Sequence, residues 1–368
     1  MKYYIITGEA SGDLHGSNLM KAIMEKDRDA EFRFWGGDRM KQAGGEMVMH
    51  YRDLAFMGFI EVAANIRTIL RNLKLCKRDI LSDQPDAVIL IDYPGFNLRI
   101  AEFAHKKGFR VFYYISPQVW AWKKSRIHQI RRTIDKMFVI LPFEKDFYAR
   151  HNVDVEFVGH PLLDAITKDD IRENPAGSPD KPVIGILPGS RKQEIMRMLP
   201  VMLKMGPEFP GYEFVVGAAP SIEDEFYFEL AGNNNLVLSR EGSLKLLRKS
   251  SAAIVTSGTA TLETAMMNVP QVVCYKGSRL SYLIARWLVR VPFISLVNLI
   301  SGKEIVKELI QNDFTRPTLK KELMKILQPD KNDEMKEHYT ELRKKLGGPG
   351  ASQKTATGII NYILETSR

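Results

Sequence analysis

The sequence predicts an α/β chain of two Rossmann-like domains whose parallel sheets face a cleft. Three observations predict it. Short apolar runs alternate with helix-like stretches; the runs are β-branched or aromatic, several without polar alternation; and the pattern halts at a polar linker and then restarts. Strands buried on both faces of a parallel sheet read as such runs. Strand–helix alternation implies parallel pairing through right-handed crossovers. At 368 residues the chain suits two domains of about 150–180 residues.

The first domain, 1–165, carries the runs YYIIT, FRFW (32–35), AVILI (87–91), VFYYI (111–115), MFVIL (137–141) and VEFV (155–158). The stretch 164–182, DAITKDDIRENPAGSPDKP, is rich in Pro, Gly and Asp and reads as a linker. The second domain, 181–345, restarts with VIGIL (183–187), YEFVV (212–216), LVL (236–238), AAIVT (252–256) and QVVCY (271–275). After a Gly-Pro-Gly break, 346–368 form a helix with Ser352 as its expected N-cap. Ile359, Ile360, Tyr362, Ile363 and Leu364 give that helix an apolar face, so it should dock on the first domain.

Composition narrows the function. Hydrophobic content of 45% and charged content of 26% exclude global disorder. Two distant cysteines, Cys76 and Cys274, suit a reducing compartment rather than a disulfide framework. Neither CxxC nor HExxH occurs and the seven histidines are scattered, so no protein-ligated metal is expected. The short N-terminal apolar stretch, followed at once by Gly8, Glu9 and Asp13, does not read as a signal peptide. No uncharged apolar run reaches 18 residues, so no membrane-spanning helix is expected. A net charge of +9 favours anionic partners: nucleic acid, a membrane surface or phosphorylated substrates.

In such folds ligands lie beyond the carboxyl ends of strands, so chemistry is expected in the loops there. After VIGIL comes PGSR: Gly189 permits close backbone approach, Ser190 can cap the next helix, and Arg191 offers a forked donor for a diphosphate. After AAIVT, the small residues Ser257, Gly258, Thr259 and Ala260 open a second anion nest, with Glu263 one turn on and able to take both ribose hydroxyls. The alternative there is a plain capping box. Two nests on one sheet favour a nucleoside diphosphate. After AVILI, Asp92 precedes a Pro-Gly turn, either as a general base or as a turn cap. After VFYYI, Trp120 and Trp122 precede Arg126, Arg131 and Arg132, a mix that suits nucleic acid, a phosphorylated amphiphile or ordinary helix packing. The glycine-rich loop GEASGDLHG after the first strand lacks GxGxxG spacing. Asp13 and His15 within it could meet sugar hydroxyls, though His15 reads equally as a plain helix residue.

Two stretches are amphipathic. In 54–80, Ile66, Ile69, Leu70 and Leu73 form a stripe beside Arg67, Arg71, Lys74 and Arg78, preceded by Met57, Phe59 and Ile60. That pattern fits an anionic membrane surface or a crossover helix with a solvated basic edge. In 279–293, Arg279, Arg286 and Arg290 align against Leu, Ile and Trp.

Eight motifs occur in order: GEASGD, IDYPGFN, SPQVWAW, LPFEKDFY, GHPLLD, LPGSRKQEI, SGTATLE and SLVNLISGKEIVKELIQ. Together they closely resemble the lipid-A-disaccharide synthase family, over nearly the whole chain. The resemblance implies a glycosyltransferase-B architecture with an exchanged C-terminal segment, hence a homodimer. It implies transfer of 2,3-diacylglucosamine from UDP to the 6-hydroxyl of 2,3-diacylglucosamine 1-phosphate, with inversion, at the cytoplasmic face of a Gram-negative inner membrane. No metal or other cofactor is implied. The family's essential carboxylate falls on Asp92 and its essential arginine on Arg191. Its UDP site falls on Ser190, the SGTA turn, Glu263 and Asn298, and its membrane patch on 57–75. No catalytic role attaches to His15. In this reading Gly8, Ala10, Ser11 and Gly12 form the floor of a sugar site near Asp92.

Rivals are a muropeptide N-acetylglucosaminyltransferase or a UDP-N-acetylglucosamine 2-epimerase of the same fold, and a basic nucleic-acid-binding protein. The last needs cations along one groove; here they lie in separate helical stripes, and no nucleic-acid partner is expected.

Overall fold

The computed structural model describes residues 1–54, 66–119, 126–166, 181–232, 234–277 and 292–366. Met57, Phe59, Ile60, Trp120, Trp122, most of the expected linker and the arginines of 279–290 lie outside the described residues. The chain divides into two compact units, Met1–Asp164 with Leu346–Arg368, and Ala165–Lys345.

Unit 1 contains β1 (Lys2–Ile6), α1 (Ala10–Met24), β2 (Glu31–Gly36), α2 (Asp38–Ala43), β3 (Glu46–His50), α3 (Ile66–Asp83), β4 (Ala87–Ile91), α4 (Pro94–Lys106) and β5 (Val111–Tyr114). It continues with α5 (Arg126–Thr133), β6 (Lys136–Val139), α6 (Pro142–Ala149), β7 (Glu156–Phe157) and α7 (Leu162–Ala165). Its strands form one sheet in the order β3-β2-β1-β4-β5-β6-β7, every pair parallel. Central strands are buried on both faces, as the AVILI run requires: all five residues of β4 are buried. One face packs Tyr4, Trp35, Leu73, Cys76, Ile80 and Tyr113 under α3 and α4. The other packs Ile5, Leu19, Phe112, Tyr114, Phe138 and Ile359.

Unit 2 contains β8 (Val183–Leu187), α8 (Lys192–Met202), β9 (Glu213–Gly217), α9 (Asp224–Ala231), β10 (Val237–Ser239), α10 (Ser243–Lys249), β11 (Ser250–Thr256) and α11 (Thr259–Met266). Then come β12 (Gln271–Tyr275), α12 (Leu296–Ser301), β13 (Lys307–Ile310), α13 (Arg316–Ile326) and α14 (Pro329–Lys345). The order is β10-β9-β8-β11-β12-β13, again all parallel. The last helix, α15 (Ala351–Thr366), packs on its own chain's unit 1, where Ala351, Ala356, Ile359 and Ile363 join the core.

The structure corrects the expected cap of α15. Ser352 is a buried residue of the first turn. The cap comes from Asp164, whose carboxylate accepts from the amides of Gly350 (2.6 Å), Ala351 (3.3 Å) and Ser352 (3.2 Å). Satisfying several orphan amides with one carboxylate fixes the helix start. The end of the GHPLLD motif thus anchors the returning chain.

Two strands escaped the sequence pattern. EMVMH of β3 and KELI of β13 lie at sheet edges. An edge strand keeps one flank exposed and tolerates charge, so neither reads as an apolar run.

Candidate functional site

In both units the strand order reverses at one place, between β1 and β4 and between β8 and β11. Ligands in open parallel sheets gather outside the carboxyl ends at such a switch point. The four loops there are GEASG, DYPGFN, PGSR and SGTA, the ones whose residues suggested chemistry. Each leads into a helix (α1, α4, α8, α11) whose N-cap residue makes no side-chain cap hydrogen bond. Uncapped N-terminal amides carry partial positive charge and attract anions.

In unit 2 the cap of α8 is Arg191, not Ser190. Ser190 lies one residue earlier and is exposed. The Arg191 guanidinium is half exposed, with Glu194 at 3.4 Å. Gly189 has φ +115°, and a Cβ there would stand 2.8 Å from Glu194 Oε2; the turn requires glycine on both counts. At the second nest the cap is Gly258, so the capping-box alternative for Glu263 is not realised. Gly258 and Thr259 are exposed, and Ala260 is partly buried. The Ser257 hydroxyl donates to the Ile294 carbonyl (2.9 Å). Glu263 turns instead to Ser243, whose hydroxyl donates to Oε2 at 2.7 Å. Burial raises the Glu263 pKa, and that hydrogen bond draws it back only in part.

Asn298, expected at the UDP site, is engaged within unit 2. Its side chain is fully buried. Nδ2 donates to Val306 O and Glu308 Oε1, both at 2.9 Å, while Oδ1 accepts from the amides of Ile305 (2.8 Å) and Val306 (3.0 Å). With both ends of its side chain engaged, it braces residues 305–306 and the start of β13.

In unit 1, Asp92 and Tyr93 both adopt left-handed backbone, φ 47° and 49°. For residues other than glycine this costs energy and persists where neighbours impose it. They do: the Asp92 carbonyl accepts from Tyr113 Oη (2.5 Å) and Asn97 Nδ2 (2.7 Å). The bend turns Asp92 into a cavity of about 150 Å³, shared with Pro94, Pro117, Gln118, Val119 and Arg126. Burial raises the Asp92 pKa, offset in part by a hydrogen bond from the Tyr93 amide. A carboxylate poised above its ordinary range suits proton abstraction. Sequence reading missed Asn97 and Tyr113 as its supports, although Asn97 ends the IDYPGFN motif.

The proposed sugar-site floor is partly corrected. Ala10 and Ser11 are exposed at the start of α1, but Gly8 and Gly12 are buried. A Cβ on Gly8 would meet the Tyr93 ring at 2.3 Å, and one on Gly12 would meet Thr7 Cβ at 2.9 Å. These glycines make room for protein, with Gly8 letting Tyr93 lie beside Asp92. Asp13 is likewise structural: buried, it accepts from the amides of Gly37 (2.7 Å), Arg39 (3.1 Å) and Met40 (3.1 Å), capping α2. His15 keeps a buried, unpartnered Nδ1, and burial lowers its pKa to about 4. It is neutral near pH 7.

Two more motifs are scaffold for the Asp92 cavity. Ser116 donates to Glu144 at 2.5 Å, and Glu144 also accepts from the Leu141 amide at 2.9 Å. That joins SPQVWAW to LPFEKDFY and holds Pro117–Val119 in the cavity wall. The expected lipid-facing stripe divides: Leu73 is core and Ile69 packs against it, whereas Ile66 and Leu70 are 45% and 57% exposed. Beside them Arg67, Arg71, Lys74 and Arg78 are exposed. Among the described residues no helix is long and apolar enough to cross a membrane, and no group of three or more His, Cys, Asp or Glu side chains could hold a metal ion.

A family model described as lipid-A-disaccharide synthetase matches residues 3–359. The chain belongs to this family. A lipid-A-disaccharide synthase of Syntrophus aciditrophicus is 41% identical over 98% of this chain and 97% of its own length. One from Geobacter metallireducens is 38% identical over 99% and 97%. Among solved structures, the S. aureus MnaA–UDP complex superposes with a TM-score of 0.69 at 12% identity, covering 98% of this chain and 96% of that one. The calicheamicin glycosyltransferase CalG4 superposes with a TM-score of 0.62 at 13% identity, covering 100% and 99%. At these identities the likeness concerns the fold, two parallel-sheet units of the glycosyltransferase-B type. Membership makes the chain a glycosyltransferase of lipid A biosynthesis.

Proposed function

We propose that the chain joins UDP-2,3-diacylglucosamine to 2,3-diacylglucosamine 1-phosphate, releasing UDP and the β-1,6-linked disaccharide 1-phosphate. The observation that carries the reading is Asp92, bent into a cavity at the switch point with a raised pKa. Its carboxylate takes the proton of the acceptor's 6-hydroxyl as that oxygen bonds to C1 of the donor sugar. The bond from C1 to the UDP oxygen breaks, and its electron pair leaves on the diphosphate. The growing negative charge falls on the uncapped amides of α8 and α11 and on Arg191. Glu263 takes the ribose hydroxyls. One displacement with one base inverts the anomeric centre. Every step uses protein groups alone.

The exposed Ile66 and Leu70, flanked by four cations, support contact with an anionic surface. On this reading the enzyme is a peripheral protein of the cytoplasmic face of the inner membrane; the homodimer comes from the family resemblance alone, since α15 packs here on its own chain. Incubation with both acylated substrates, followed by mass and NMR analysis of the linkage, tests the reaction. A β-1,6 disaccharide with stoichiometric UDP is expected. Epimerisation of the UDP-sugar alone, without need of acceptor, would replace this reading with the epimerase one. Competition by UDP but not by DNA separates it from nucleic-acid binding.

A further inference from the structure

Glu263, which takes the ribose hydroxyls in the reaction proposed above, is held from a neighbouring helix. α10 and α11 follow β10 and β11 at the carboxyl ends of those strands and pack against each other. Ser243 is the first residue of α10, and Glu263 stands one turn into α11. The Ser243 hydroxyl donates to Glu263 Oε2 at 2.7 Å. Gly242 brings the chain to that point at φ +92°, a backbone that other residues adopt only with strain. The hydroxyls beside Glu263 on its own helix are spent on backbone: Thr261 Oγ1 donates to the Gly258 carbonyl (2.8 Å) and Thr264 Oγ1 to the Ala260 carbonyl (2.7 Å). Among the described residues, Ser243 is therefore the one hydrogen-bond partner of the Glu263 carboxylate, and Oε1 makes no hydrogen bond. An ionised carboxylate offers about four lone-pair sites. Ser243 takes one of them, which leaves room for both hydroxyls of a ribose on the same group. Burial pushes the Glu263 pKa up, and the Ser243 hydrogen bond draws it down; a proton on the carboxyl would turn an acceptor into a donor.

We infer that Ser243 is a positioning residue for the nucleotide: it clamps the Glu263 carboxylate in the orientation that accepts both hydroxyls of the donor's ribose, and so sets the preference for a ribonucleotide. The inference rests on the role given to Glu263 above and names what makes that role specific. A free glutamate side chain would lose rotamer freedom on meeting the ribose. The hydroxyl of Ser243 removes that cost beforehand, because the carboxylate is already pinned by one oxygen while the other stays open. Ser243 acts through Glu263 alone, so its removal should weaken only the part of the affinity that the ribose hydroxyls supply.

The test measures nucleotide affinity by calorimetry, without turnover. The full chain is titrated with UDP and with 2′,3′-dideoxy-UDP, which lacks both ribose hydroxyls. Wild type should prefer UDP by about tenfold to a hundredfold, the range for hydrogen bonds to a charged group. Ser243→Ala should lose most of that preference by weakening UDP alone, with dideoxy-UDP bound as by wild type. Ser243→Thr keeps the hydroxyl and should restore the preference. Ser243→Cys, similar in volume with only a weak donor, decides the matter if the alanine variant fails to fold. An equal loss for both nucleotides in Ser243→Ala, or a preference that survives there, overturns the inference. A preference abolished in Glu263→Gln but kept in Ser243→Ala overturns it too, and leaves Glu263 at the ribose. Equal binding of both nucleotides by wild type overturns the role of Glu263 and the inference with it. A wild type that shows the preference yet forms no disaccharide overturns the reaction and leaves the serine clamp standing.

Discussion

His15 and His160 should make unit 1 acid-labile well above the pH at which carboxylates titrate. Burial lowers the His15 pKa to about 4, opposed by Asp164. Burial lowers the His160 pKa to about 3, and His15 adds to the effect. His160 Nδ1 also accepts from the Leu162 amide at 3.2 Å, a bond that needs that nitrogen unprotonated. Both folded values lie below the ordinary 6.5, so the unfolded chain binds protons first as pH falls. Stability is complete above pH 6.5 and is lost down to the folded pKa values. At about pH 5 the folded histidines are still neutral, so the loss depends only on the unfolded state: about 2 kcal/mol each, about 4 kcal/mol together. That is a large share of the roughly 5–15 kcal/mol of a typical domain. Urea unfolding of wild type, His15→Leu and His160→Asn at neutral pH and at pH near 5 reads it out. Each variant should lose about 2 kcal/mol less than wild type over that interval. Equal losses in all three would mean that the histidines protonate inside the fold, and the reasoning would fail.

Three further outcomes follow from the geometry. Gly189→Ala should lower UDP affinity about tenfold by calorimetry, since φ +115° and the 2.8 Å approach to Glu194 force the PGSR turn to move. Asn298→Ala should cost about 2–4 kcal/mol in thermal or urea unfolding, because it orphans the buried amides of Ile305 and Val306; an unchanged stability with weakened UDP binding would make Asn298 a nucleotide ligand instead. Leu70→Glu should reduce flotation with anionic vesicles severalfold while shifting stability by no more than about 0.5 kcal/mol, as expected of an exposed side chain.

Most strands were legible because a doubly buried parallel strand is an apolar run: AVILI and VIGIL coincide with β4 and β8. EMVMH and KELI were not, since edge strands need no such run. The four loops were legible because their small residues and charges stand where a strand pattern stops, and the sheet order then places them at the switch points. Roles within the loops were harder. Asp13, Gly8 and Gly12 look like ligand-site residues by composition, yet their partners are Gly37, Tyr93 and Thr7, far away or ambiguous in sequence. Asp164 capping α15 is a contact 186 residues long, beyond any local pattern. Ser352 seemed a natural cap because cap preference is local, whereas the cap of α15 comes from Asp164, a tertiary neighbour; α8 starts one residue after the expected Ser190, at Arg191, without a side-chain cap.

The central claim is that Asp92 removes the acceptor proton. Asp92→Asn keeps the size of the side chain and removes the base. Product formation should fall about 10²–10⁴-fold, with UDP affinity unchanged, and the acid limb of the wild-type rate should lie above the ordinary carboxylate range because burial raises that pKa. An asparagine variant that forms the disaccharide at the wild-type rate would contradict the account.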